Sequence, residues 1–344
     1  FGSSSIQPSK QECWRRQQRR PAMKVLVTGG SGFLGGYTVA KLLSRGDTVV
    51  VVDAVNSVYE HAFRQSTIKI LKSHAAQSTG ELTFFEIDLS EKEELRAIFQ
   101  KERPDTVCHF ACQMGVHSTS AAMGILATIN VLEQCKEFRP KSVVCATDSS
   151  DFVRSTKGPF ANVQNCRDPV DAHAATLQGC SEFRRLYGLN ITVLQLFAVY
   201  GPGSCSDNTV FMLVDSIARG RPVDVYGDGS ELHNFAYVED VLNGVVAAID
   251  GSRAFEVVSL AGGRLHSFSE LVRAAERQLG KQAVLKRLDA KPRPRRALAR
   301  AAQEQEQARR KLGFSPRVAL DEGLGRVVQW YGCWLQESVH LGGA

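Results

Sequence analysis

The stretch "VLVTGGSGFLGGYTVAKLLSRG" at 25–46 constrains this chain more than any other. A β-branched apolar run ends in Gly29, Gly30, Gly32 and Gly35 and passes at once into a helical pattern. Glycine suits that junction because a tight turn and close backbone approach to a pyrophosphate leave no room for Cβ, while the helix N-terminus adds partial positive charge. A second apolar run, "TVVVVD", ends in Asp53, about 20 residues on, where a carboxylate accepts hydrogen bonds from a ribose 2′,3′-diol and repels a 2′-phosphate. NAD is therefore expected over NADP. The cofactor positions expected are Gly29, Gly32, Phe33, Leu34, Gly35 and Asp53, with Asp88, Leu89, Ala111 and Gln113 on the loops after the third and fourth strands.

Strand-like runs at 24–28, 48–53, 82–87, 106–111, 142–147 and 191–197 alternate with helix-length segments such as 34–45 and 91–102. Strands so continuously apolar are covered on both faces, which requires a parallel sheet with helices on each side. The fold class expected is α/β: a Rossmann doubly wound parallel sheet with a smaller mixed C-terminal substrate-type domain. The boundaries expected are a basic extension at 1–22, a nucleotide domain at 23–197 and a smaller domain at 198–344, with part of 233–255 packing back on the first.

Nine scattered cysteines without a close CxxC pair argue against a disulfide framework or a zinc site, and no metal ligands are expected. No apolar run reaches the roughly 18 residues needed to span a bilayer. The net charge of +6 is uneven: residues 1–22 carry five Lys/Arg against Glu12, and residues 286–311 carry ten against three acids. Such ends suit an acidic partner or nucleic acid. The Arg- and Ser-rich start also reads as the remnant of an import presequence, which implies the mitochondrial matrix or another organelle, with the cytoplasm as the alternative.

The chain resembles the extended short-chain dehydrogenase/reductases, and within them the nucleotide-sugar epimerases of the UDP-glucuronate 4-epimerase type. The residues that carry the likeness are "TGGSGFLG" at 28–35, "HFACQMGVHS" at 109–118, "INVLEQCK" at 129–136, "VYGPG" at 199–203, "VYGDGSELHNFAYVEDV" at 225–241, "ARRKLGFSP" at 308–316 and "LDEGLGRVVQWY" at 320–331. The resemblance implies NAD as a resident hydride carrier, a tyrosine that moves the sugar hydroxyl proton, a lysine four residues on, and an assisting Ser or Thr. Here His173 stands at the tyrosine position, Leu177 at the lysine position and Asp148 at the Ser/Thr position. Gln195, His233 and Asn234 likewise replace polar groups that the resemblance places on the diphosphate side.

These departures lead to the expectation of a catalytically inactive NAD-binding accessory subunit of a larger assembly, with Asp148, His173 and Leu177 as degenerate positions. Two alternatives stand beside it. One is an active NAD-dependent nucleotide-sugar epimerase or dehydratase whose acid and base are Asp148 and His173; the other is an RNA-associated scaffold that uses the basic ends.

Overall fold

The computed structural model describes residues 21–54, 61–111, 121–148, 169–204, 208–289 and 297–340. Residues 1–20, which hold all the Lys and Arg of the first basic stretch, and 290–296, which hold part of the second, lie outside the described residues.

Strands β1 (Lys24–Thr28), β2 (Thr48–Asp53), β3 (Glu81–Glu86), β4 (Thr106–His109), β5 (Ser142–Asp148) and β6 (Ile191–Leu196) join β10 (Phe255–Leu260) in one sheet. Its order is β10-β6-β5-β4-β1-β2-β3 and all of its pairings are parallel. The six runs read from the sequence form strands here, and β10 is an addition that arrives from beyond residue 250. β4 is shorter than its apolar run: Phe110 N–H still reaches the Thr28 carbonyl at 3.2 Å, after which the chain leaves the sheet.

Helices α1 (Phe33–Ser44), α2 (His61–Gln77), α3 (Lys92–Glu102), α4 (Ala121–Phe138) and α5 (Pro169–Tyr187) follow the strands in turn. The period-2 geometry of a strand explains why a run such as "VVVV" is needed. Val25, Val27, Val49 and Val51 point to one face, with Val39, Leu42 and Leu43 of α1, while Leu26, Val50 and Val52 point to the other, with Leu95, Phe99, Val131 and Leu132 of α3 and α4. Both layers are fully buried, so neither set of side chains can turn polar.

Beyond β6 the chain builds a second lobe. β7 (Ala198–Tyr200), β9 (Leu232–Tyr237) and β11 (Leu265–Ser267) form a three-stranded sheet, and β8 (Pro222–Tyr226) pairs with β12 (Val284–Leu288). Around them lie α6 (Thr209–Ala218), α7 (Val238–Asp250), α8 (Phe268–Leu279), α9 (Ala297–Leu312) and α10 (Leu320–His340). α7 packs back against α1 and β5. Its buried Asp240 carboxylate accepts from the backbone N–H groups of Arg317 and Val318 at 2.9 and 3.0 Å, which fastens the approach to α10.

One polar group inside the main sheet ties three elements together. His109, fully buried at the end of β4, meets the Thr28 hydroxyl at 2.7 Å through Nδ1 and the Thr128 hydroxyl at 3.0 Å through Nε2. Thr128 Oγ1 donates to the Gly124 carbonyl at 2.9 Å, so it accepts from Nε2–H, and Nδ1 is left to accept from Thr28. The ring is therefore neutral, and burial pushes its pKa down to about 4. A depressed histidine stabilises the fold above its unfolded pKa of about 6.5, and that stability is lost as pH falls through the folded value. The expected loss is about 3 kcal/mol between pH 6.5 and 4. His109→Gln should flatten that acid limb in a series of melting curves against pH.

Candidate active site

The sheet reverses its winding at β1, which has β4 on one side and β2 on the other, and in sheets of this kind such a switch point is where a ligand binds beyond the strand C-termini. The glycines sit there. Gly29 adopts a left-handed φ of +70°, and a Cβ on it would stand 3.0 Å from Ala111 N. A Cβ on Gly35 would lie 2.0 Å from the Gly29 carbonyl oxygen, so the first turn of α1 rests directly on the turn that precedes it. Gly32 caps α1 without a side-chain hydrogen bond, and the helix has no acidic residue in its first turn. The backbone N–H groups of Phe33, Leu34 and Gly35 are thus presented at the positive end of the helix with no carboxylate to satisfy them.

Asp53 closes the other side of the crevice and is almost completely buried. Its Oδ2 accepts from Ser31 N–H at 2.8 Å and from the Ser31 hydroxyl at 2.5 Å, and its Oδ1 pairs with Arg64 Nη1 at 2.8 Å. A carboxylate offers about four lone-pair sites, so capacity for a ribose hydroxyl remains. The glycine cradle, the uncapped helix end and the carboxylate together fit the dinucleotide expected from the sequence.

The remaining expected positions are placed as follows. Asp88 Oδ1 accepts from Ser90 N–H at 2.8 Å in a turn beside β2, where Ile87 N–H reaches the Asp53 carbonyl at 3.2 Å. Leu89 is buried, and its carbonyl accepts from Asn130 Nδ2 at 2.8 Å. Ala111 abuts Gly29 and donates its N–H to Thr28 Oγ1 at 3.4 Å. Gln113 lies outside the described residues. Ser31 and Arg64 are partners of Asp53 that sequence reasoning missed. Ser31 sat within the glycine motif itself, whereas nothing in the spacing marked Arg64.

On the chemical side, Asp148 ends β5 in register with Leu196, next to buried Thr147. His173 and Leu177 lie four residues apart on α5. The side chains of Asp148 and His173 lie outside the described residues. Leu177 packs against the apolar layer that contains Val131, Leu132 and Cys180. Gln195 is buried in the sheet, where its Oε1 accepts from Ser259 Oγ at 3.0 Å. Asn234 Oδ1 accepts from Gly262 N–H at 2.5 Å, while its buried Nδ2 has no hydrogen-bond partner among the described residues. Tyr200 and Tyr237 are buried in edge-to-face contact at 5.5 Å, and burial raises both phenols above their ordinary pKa. They are packing groups and poor proton acceptors. Among the described residues no group of three or more His, Cys, Asp or Glu could hold a metal ion, and no helix is long and apolar enough to cross a membrane.

A doubly wound parallel sheet with a glycine cradle at its switch point and a second lobe over the strand ends defines a dinucleotide-dependent α/β protein. The family model for the NAD dependent epimerase/dehydratase family matches residues 25–261, and the chain belongs to that family. NAD is its cofactor. The chain is 29% identical to UDP-glucuronate 4-epimerase of Thermodesulfobacterium geofontis over 89% of this chain and 95% of that one. It is 30% identical to UDP-glucuronate 4-epimerase 4 of Arabidopsis thaliana, over 92% of this chain and 77% of that one. Among solved structures, UDP-glucose 4-epimerase of Thermotoga maritima with UDP-glucose superposes with a TM-score of 0.69 at 26% identity, covering 91% of this chain and all of that one.

These relatives overturn the expectation of an inactive accessory subunit. Proteins matched along about nine-tenths of the chain are named as epimerases, and none of those named is a structural subunit. The expectation weighed the substituted positions Asp148, His173 and Leu177, with Gln195, His233 and Asn234 beside them, above a cofactor half whose glycines and Asp53 are kept. A proton can be carried by more than one kind of side chain, so a missing tyrosine is not a missing reaction.

The cradle is directly testable. Gly35→Ala should cost about 1–3 kcal/mol of stability by overpacking the turn and weaken NAD binding by at least about tenfold. Thermal melts and titration calorimetry read the two effects. Wild-type values for both would show that the turn has room to spare.

Proposed function

We propose that the protein is an active NAD-dependent nucleotide-sugar epimerase that inverts C4 of a UDP-linked hexose or hexuronate. The observation that carries this reading is the cofactor cradle, in which Gly35 rests on the Gly29 carbonyl and Asp53 is held by Ser31. The UDP-glucuronate 4-epimerases among its relatives supply the substrate class.

Held by the glycine cradle and Asp53, NAD would supply reversible hydride transfer at the sugar carbon. For that exchange the hydroxyl on the same carbon has to release a proton and regain it. His173 on α5 is the candidate acceptor, and Asp148 at the end of β5 is the candidate partner. The two substitutions on α5 make sense together. A tyrosine titrates near 10 and needs a neighbouring cation to act at neutral pH, whereas a histidine titrates in the neutral range unaided. With Leu177 packed into the apolar layer there is no ammonium at that position, so an acceptor that needs none is the coherent replacement.

Incubation with UDP-glucuronate and UDP-glucose, followed by NMR of the C4 proton, is the test. Inversion of at least one sugar is expected, and His173→Ala should lower kcat by about 10²–10⁴-fold with NAD affinity preserved. A wild-type protein that binds NAD and inverts neither sugar would refute the assignment.

A further inference from the structure

Arg64, which pairs with Asp53, occupies the first turn of α2 directly after Phe63. Neighbouring residues on a helix face different ways, so the two side chains tie that turn to two different parts of the molecule. Arg64 reaches inward to β2 with 23% of its side chain exposed, against 5% for Asp53. Phe63 reaches outward to the C-terminal helix, where its ring stacks on Trp334 at 5.4 Å and 19° and lies 6.4 Å from Trp330. It also meets Phe211 of α6 edge-on at 6.2 Å. Trp330 and Trp334 stack on each other at 6.2 Å, and Tyr331 donates its hydroxyl to Asp215 Oδ1 at 2.6 Å, so α10 is itself fastened to α6. The far side of α2 is held separately, by Ile68, Leu71 and the contact of Thr67 with Gly36 of α1. Among the described residues, Phe63 and Arg64 anchor its first turn.

We propose that the C-terminal helix, through Trp334 and Phe63, positions Arg64 against Asp53 and thereby sets the affinity and the selectivity of the ribose end of the cofactor cradle. The proposal rests on the NAD reading of that cradle. With Ser31 on Oδ2 and Arg64 on Oδ1, the carboxylate is held in one orientation and its charge is partly offset. Loss of the guanidinium frees Oδ1 and removes the cation that offsets the charge, with only the Ser31 hydrogen bonds left on Oδ2. Binding of NAD then weakens, and binding of NADP weakens more, because a 2′-phosphate meets an uncompensated anion. Trp334, Phe63 and Arg64 are positioning residues in this scheme.

The test is a double-mutant cycle on NAD and NADP dissociation constants with Trp334→Leu, Arg64→Ala and the pair. Each single change is expected to weaken NAD binding about tenfold, the scale of one charge-assisted hydrogen bond. The double variant should be little weaker than either single one, and the NAD-to-NADP preference should rise in all three. Trp334→Phe, which keeps a stacked ring, should restore wild-type values. Should Trp334→Leu fail to fold, Phe63→Leu repeats the cycle from the α2 side, with amide protection of the main sheet as the check on folding. Single effects that simply add, or an NAD-to-NADP ratio that stays constant, would overturn the proposal while leaving the cofactor reading intact. A wild-type protein that binds neither dinucleotide would bring down the cofactor reading and this proposal with it.

Discussion

The contact on which the rest of the structure depends is the packing of Gly35 onto the carbonyl of Gly29, with Gly29 in turn pressed against Ala111. Because no Cβ intervenes, α1 begins as soon as β1 ends, and its first-turn N–H groups stand at the C-terminal end of β1 without a side-chain cap. The same closeness draws the end of β4 against the turn. Asp53 then falls opposite the helix end, where it is held through Ser31 from within the glycine segment itself. Cradle, helix dipole and ribose acceptor are thus consequences of one steric fact.

Around that cradle the molecule keeps its charges and its apolar layers apart. His109 is neutral because burial and two threonine hydroxyls leave no room for a second ring proton, and it joins β1, β4 and α4 at the back of the site. Tyr37, Tyr200 and Tyr237 gather where the lobes meet, each with its phenol pKa raised chiefly by burial. Such phenols stay protonated and pack.

The cofactor half was legible in the sequence because each of its requirements is local. Glycine spacing, a strand before and a helix after, and an acidic residue closing the next strand can all be read within 30 residues or so. The chemical half was harder to read because it turns on substituted positions. The departures at His173, Leu177 and Asp148 pointed toward a retired site, and only comparison with relatives along about nine-tenths of the chain reversed that reading. Gln195 shows the same difficulty: it was read as a lost substrate contact, yet in the fold it is a sheet residue bonded to Ser259.

By itself the sequence determined the doubly wound sheet, its strand runs and the glycine turn, since these follow from the periodicity of apolar residues and from the steric need for a missing Cβ, both properties of neighbouring residues. Tertiary structure decided what joins across long separations. It brought β10 from beyond residue 250 to the edge of the sheet, Arg64 to Asp53, and the aromatic residues of α10 to the first turn of α2. Such contacts depend on where elements dock, which is set by the shape and packing of whole faces and leaves no periodic mark along the chain.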